Sequence, residues 1–93
     1  MTINTADIVI SLNGRDEGKY FLVVGTEAEY SMLADGKSRR IEKPKRKKDK
    51  HLMLDGKADD QIASRLTNGE KVSNSEIRRA LAQYAARCDE GGM

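Results

Sequence analysis

Nine lysines and arginines fall within fifteen residues of this chain: Lys37, Arg39, Arg40, Lys43, Lys45, Arg46, Lys47, Lys48 and Lys50, with His51 directly behind them. Cations at that density can neutralise phosphates and release the counterions condensed on a polyanion, which yields affinity without any reading of bases. No aromatic residue interrupts the run, so the chemistry it offers is backbone and shape recognition. The alternative is a solvated, disordered charge run or a targeting tag. His51 fits either the end of a strand or a ring stacked on a base. Two further cations, Arg15 and Lys19, sit in the segment Gly14-Arg-Asp-Glu-Gly-Lys19. There Asp16 and Glu17 occupy the tip, and two carboxylates repel a phosphodiester unless a basic neighbour compensates. The segment therefore reads either as a contact through Arg15 and Lys19 or as a turn whose glycines serve geometry alone. Tyr20 and Tyr30 are candidates for stacking on unpaired bases, whereas Phe21 reads as core.

The formal net charge of the 93 residues is only +2, but it is unevenly distributed. Residues 1–36 carry −4, residues 37–51 carry +7 and residues 52–93 carry −1. Localised charge is what a field-based binding site requires.

Other chemistries find little support. The acid pairs Asp16-Glu17 and Asp59-Asp60 are neighbours in sequence and do not face one another on a helix. No phosphate-binding loop, dinucleotide-binding glycine pattern, zinc spacing or nucleophile triad occurs. One cysteine, Cys88, has no partner for an internal disulfide, and with the single histidine it cannot build a metal site. No catalytic residue, metal, cofactor or small-molecule substrate is expected. Met1 to Ile10 lacks the basic start and apolar middle of a signal peptide, and no run approaches 18 apolar residues. The chain reads as cytoplasmic, with no membrane partner.

Positioning the cations falls to short strands. Ile8 to Leu12 and Tyr20 to Gly25 are β-branched and aromatic runs on either side of the break Gly14–Lys19, which reads as strand, tight connection, strand. Gly14 and Gly18 bracket the break as residues able to adopt positive φ. Phe21 and Val23 share one face of the second strand, Leu22 and Val24 the other. Both faces are apolar, and the C-terminal residues are the segment available to cover the second. Glu27 to Glu29 reads as a turn and Tyr30 to Ala34 as a third strand. Asp35-Gly36 follows as a two-residue hairpin signal, then Arg39 to Ile41 as a fourth strand, 43–50 as a basic loop interrupted by Pro44, and His51 to Leu54 as a fifth strand. Lys57 to Thr67 has helical spacing, and Ser73-Asn74-Ser75-Glu76 has the capping-box pattern. A second helix then follows with Ile77, Ala80, Leu81, Tyr84 and Cys88 along one stripe. Arg78, Arg79 and Arg87 lie beside that stripe on a solvated face.

Gly14-x-x-x-Gly18-Lys19, preceded by Ile8-Val9-Ile10 and followed by Phe21-x-Val23-Val24, resembles the KOW motif of ribosomal and transcription-associated proteins. In that family the motif is a hairpin within a small SH3-like barrel that binds RNA. Leu33-Ala34-Asp35-Gly36, Arg39-Arg40-Ile41-x-Lys43-Pro44-Lys45 and Lys50-His51-Leu52 resemble small bacterial KOW-containing proteins, relatives of KOW proteins of the archaeal and eukaryotic large ribosomal subunit. The resemblance implies that the five strands form an SH3-like barrel over 7–55; with the two-helix appendage over 56–88 and the flexible ends at 1–6 and 89–93 read from the residues themselves, the expected fold is mainly β with C-terminal α structure. It implies a ribosome-associated RNA-binding role in translation, with ribosomal RNA as partner and ribosomal proteins nearby. The contact set is Arg15, Lys19, Lys37, Arg39, Arg40, Lys43, Lys45, Arg46, Lys47, Lys48, Lys50 and His51. Two rivals stand beside it, a protein-interaction module of the transcription or translation machinery and a non-specific duplex DNA binder.

Overall fold

A computed structural model describes the chain over residues 2–91, with side chains through Arg87. The strands are β1 (Asp7–Ser11), β2 (Tyr20–Glu27), β3 (Tyr30–Ala34), β4 (Lys45–Lys48) and β5 (Leu52–Lys57), with a 3-10 turn at Asp49–His51. Helices α1 (Asp60–Thr67) and α2 (Asn74–Gly91) follow. The strands form one antiparallel sheet in the order β4-β3-β2-β1-β5. The fold is thus mainly β with two C-terminal helices, as the sequence pattern indicates.

The sheet does not close into the SH3-like barrel expected over 7–55: β4 and β5 are its two ends. In place of a strand pair, Lys47 Nζ on β4 donates to Ser11 Oγ (2.6 Å) and to the Asn13 carbonyl (3.0 Å) beyond the end of β1. The Leu12 amide donates to the His51 carbonyl (2.9 Å). β4 has four residues, all basic, and long cationic side chains bridge the gap that a fuller apolar strand would otherwise have to seal.

Alternation along the strands sorts the apolar residues onto two faces. Val9, Phe21, Val23, Leu33 and Leu52 form the inner cluster, joined by Ile3. Residues 3–6, expected to be part of a flexible end, are therefore held against the sheet. Ile3 is 5% exposed, and the Ala6 amide donates to the Val23 carbonyl; an inner face with so few large side chains recruits this extra plug. Ile8, Leu22 and Ala34 point the other way and pack against Ala58, Ile62, Val72, Ile77, Ala80 and Leu81. The helices cover the second face of β2, because neither has enough apolar surface to stand alone.

Several boundaries differ from expectation. Arg39 to Ile41 is not a strand. The Asp35 carboxylate accepts from the amides of Lys37 and Arg39 (both 2.8 Å) and from the Ser38 hydroxyl (3.1 Å), and the Ile41 amide donates to Asn74 Oδ1 (2.8 Å). Those donors are thereby withdrawn from any ladder. Gly36, at φ +79°, lies so close to α2 that a Cβ would sit 2.4 Å from the Asn74 carbonyl. β4 instead occupies Lys45–Lys48, within the segment expected to be a loop, and pairs Leu33 with Lys45 and Tyr30 with Lys48. Pro44 immediately precedes this strand, where its missing N–H costs no ladder bond.

β5 starts at Leu52 and runs on through Asp55-Gly56 to Lys57. α1 begins at Asp60 with Asp59 as its N-cap, whose side chain accepts from the Ile62 amide (3.0 Å). The Ser73–Glu76 capping box is reciprocal, at 3.2 and 3.1 Å. α2 continues to Gly91, so residues 89–91, expected as the start of a tail, are helical. The expectations for the Cys88 side chain and for residues 92–93 lie outside the described residues.

Candidate nucleic-acid interface

The β1–β2 connection sets the geometry. Gly14 and Gly18 adopt φ +78° and +83°, conformations that L side chains disfavour. The chain folds back on itself through Gly18 N–H to Ser11 O (2.8 Å) and Lys19 N–H to Asp16 O (2.9 Å). This tuck turns Asp16 inward to 5% exposure and leaves Arg15, Glu17 and Lys19 at the surface. Only one of the two tip carboxylates therefore faces solvent.

Asp16 is also where the two cationic stretches meet. Its Oδ2 accepts from Lys45 Nζ (3.1 Å) and from Arg39 Nη2 (3.5 Å), and Lys19 Nζ lies 3.6 Å from Oδ1. Three cations share one carboxylate, so the cluster remains net positive. Burial alone would raise the Asp16 carboxyl, but the Lys45 hydrogen bond and the charges of Lys45 and Arg39 together hold it below its ordinary value. Arg39 is loosely held: its contact is long, and its buried Nε has no hydrogen-bond partner.

On β4 the cations alternate between faces. Lys45 and Lys47 stand across from Leu33 and Ser31, on the inner side. Lys47 has no carboxylate in contact among the described residues; its bonds go to Ser11 and Asn13. Burial and the neighbouring Lys45 push its ammonium below the ordinary lysine range, against the pull of Asp16. Arg46 and Lys48 point outward with Met32 and Tyr30. The Arg46 guanidinium lies 3.6 Å from the Tyr30 ring centroid, so the protein's own cation covers that face of the tyrosine. Arg46 also pairs with Glu27 (3.4 Å) and Lys48 with Glu29 (3.7 Å).

Among the other candidates, exposed Arg40 pairs with exposed Glu42 (3.6 Å). Asn13 Nδ2 donates to His51 Nδ1 (2.9 Å), which fits the strand-end role for this ring. Arg15, Lys37, Lys43 and Lys50 are exposed and make no ion pair among the described residues. Half of the twelve candidates, namely Lys19, Arg39, Arg40, Lys45, Arg46 and Lys48, are thus engaged by the protein's own acids. The solvent-facing pairs are each worth only about 0–1 kcal/mol, so a phosphate can displace them at little cost. Within the Asp16 cluster Lys45 is held more firmly, at 3.1 Å from a buried carboxylate.

Three contributors have no local sequence signal. Asn13 and Ser11 anchor Lys47 and His51 from 34 to 38 residues away. Arg78, read as part of a solvated helix face, donates Nη1 to the Gly36 carbonyl (2.6 Å) and Nη2 to Ser75 Oγ (3.2 Å), and so fastens the loop after β3 to α2. Arg79 and Arg87 are exposed, as the stripe pattern indicates.

Among the described residues no group of three or more His, Cys, Asp or Glu could hold a metal ion, and no helix is long and apolar enough to cross a membrane. No protein-family model matches the chain, and no curated protein matches it either.

Proposed function

We propose that this protein is a non-catalytic, cytoplasmic RNA-binding module that docks on structured RNA, ribosomal RNA foremost, in association with the ribosome. The observation that carries the reading is the convergence of the β1–β2 connection and the segment 37–50 on Asp16 and Asn13. Two separate cationic stretches become one surface on which positive charge outnumbers the carboxylates that pair it. The KOW-like residues of that connection point to RNA as the polyanion. Docking is electrostatic: exposed Arg15, Lys37, Lys43 and Lys50 meet phosphates directly, Arg40, Arg46 and Lys48 exchange surface carboxylates for phosphates, and the Asp16 cluster fixes orientation.

The test is RNA affinity across a salt series. With about five phosphates neutralised, log affinity falls against log salt with a slope of about −3.5 to −4.5; a slope near zero overturns the mechanism. Changing Arg15, Lys37, Lys43 and Lys50 together to Ala should flatten the slope by about 3 without lowering the melting temperature, since none of the four holds the fold together. Duplex DNA competing equally with folded RNA at the same salt would move the reading to a general nucleic-acid binder.

A second reading, an acidic protein partner, draws on β4 being an end strand of the sheet, open to pairing with an extended segment. It predicts that a complex pulled from cells survives RNase.

A further inference from the structure

A groove of about 400 Å³ lies between the end of the β1–β2 connection, the loop after β3 and the flank of α2. That size falls within the range of small-ligand sites, about 300–1,000 Å³. Tyr20, Leu81 and Ala82 line one part of it; Lys19, Asp35, Lys37, Ser38 and Arg78 line the rest, with Arg78 turned to the Gly36 carbonyl.

The groove is built rather than incidental. Its loop wall is fastened to α2 by the Arg78–Gly36 hydrogen bond (2.6 Å) and by the seating of Gly36 against Asn74, so the wall keeps its distance from the helix. The Tyr20 ring is set at 72° to Tyr84, with centroids 5.7 Å apart. Asp35, the one acid lining the groove, has both oxygens occupied by its own loop. Lys37 has no ion pair among the described residues, and Lys19 shares Asp16 with two other cations. An aromatic and aliphatic floor beside the Lys37 ammonium, which has no ion pair among the described residues, and the Lys19 ammonium, which has only a share of Asp16, matches a flat ring joined to an anion.

We propose that this groove takes one unpaired nucleotide of the bound RNA, its base against Tyr20, Leu81 and Ala82 and its phosphate between Lys19 and Lys37. The inference rests on the RNA-binding reading and deepens it: electrostatic docking supplies affinity, and the groove selects RNA that offers a base outside a helix. Contact of a base with an aromatic ring is a sequence-tolerant source of such selectivity.

The experiment compares two hairpin RNAs identical except for one bulged adenosine, titrated against the full chain by fluorescence anisotropy at equal salt. The bulged RNA should bind about tenfold tighter. Ala82→Leu fills the floor at an exposed helical position that tolerates leucine well, and should bring the ratio of the two affinities close to one. Equal binding of both RNAs by the unaltered protein overturns the groove assignment and leaves the RNA-binding reading standing. A preference that survives Ala82→Leu also overturns it. Binding of neither RNA overturns the RNA-binding reading, and this inference falls with it.

Discussion

On the proposed RNA-docking reading, replacing Asp16 by Asn should make the protein less stable and a tighter RNA binder at once. The substitution keeps the shape and an acceptor oxygen for Lys45, but removes the charge that three cations share. Breaking a fully buried ion pair costs about 3–5 kcal/mol, and losing a solvent-exposed one about 0–1 kcal/mol. Asp16 itself is buried, while the side chains of Lys45, Arg39 and Lys19 are 30%, 37% and 56% exposed and can turn towards water. The cost therefore lies between the two limits, at about 1–2 kcal/mol, or a fall of about 5–15 °C in melting temperature for a domain of this size. For the complex, a negative charge about 6 Å from a phosphate in a water-like dielectric is worth about 0.7 kcal/mol. Removing it should raise affinity roughly threefold and steepen the salt slope by about 0.9 for each phosphate gained.

The assays for this substitution are thermal denaturation by circular dichroism and anisotropy titrations from low to moderate salt, with Glu70→Gln as a control that adds the same net charge on the helical side. A fall in melting temperature with affinity and slope no different from the control would refute placement of the Asp16 cluster in the interface. An unchanged melting temperature would refute the claim that the carboxylate holds the two cationic stretches together. The pH dependence gives a third readout. Because the folded Asp16 carboxyl lies below its ordinary value near 3.8, its stabilisation is complete above that value and is lost as pH falls through the folded one. The stability gap between the two proteins should close on acidification.

Other substitutions probe the scaffold. Gly56→Ala would place a Cβ 2.2 Å from the Tyr84 hydroxyl, which donates to Asp55 Oδ2 at 2.6 Å; displacing that ring should cost about 1–3 kcal/mol, and in a Tyr84→Ala background chemical denaturation should show most of the cost gone. Ala28 holds φ 54° in the exposed turn joining β2 to β3, so Ala28→Gly should raise stability by about 0.5–1 kcal/mol, and a lowered denaturation midpoint would refute the strain. Glu76 is pushed down to about 2, first by its hydrogen bond with Arg65 and next by the Ser73 amide. Its contribution is therefore present above pH 4.5 and is lost as pH falls towards 2; the melting temperatures of the protein and of Glu76→Gln should converge across that window.

What could be read from the chain alone was whatever depends on neighbours within a few residues. Alternating apolar positions placed β1, β2 and β3, and the spacing Ile77, Ala80, Leu81, Tyr84 gave α2 its buried stripe. Gly14 and Gly18 marked a connection that needs positive φ, and the capping box at Ser73 marked a helix start. Each follows from backbone sterics or from side chains adjacent in one element. The concentration of charge in 37–51 was equally plain.

Where each cation would point was decided only by the tertiary structure. Arg39 to Ile41 looks like a strand, yet Asp35 and Asn74 take its amides. Lys45 to Lys48 looks like a loop, yet it pairs with β3, because a ladder is chosen by whichever partner strand has free donors and acceptors, and here β3 still had an open edge. The local tuck turns Asp16 inward, but its role as the joint between two cationic stretches depends on Arg39 and Lys45 arriving from 23 and 29 residues away. Local sequence carries charge and curvature; a carboxylate's neighbours across the fold determine whether that charge is spent inside the protein or left facing the solvent.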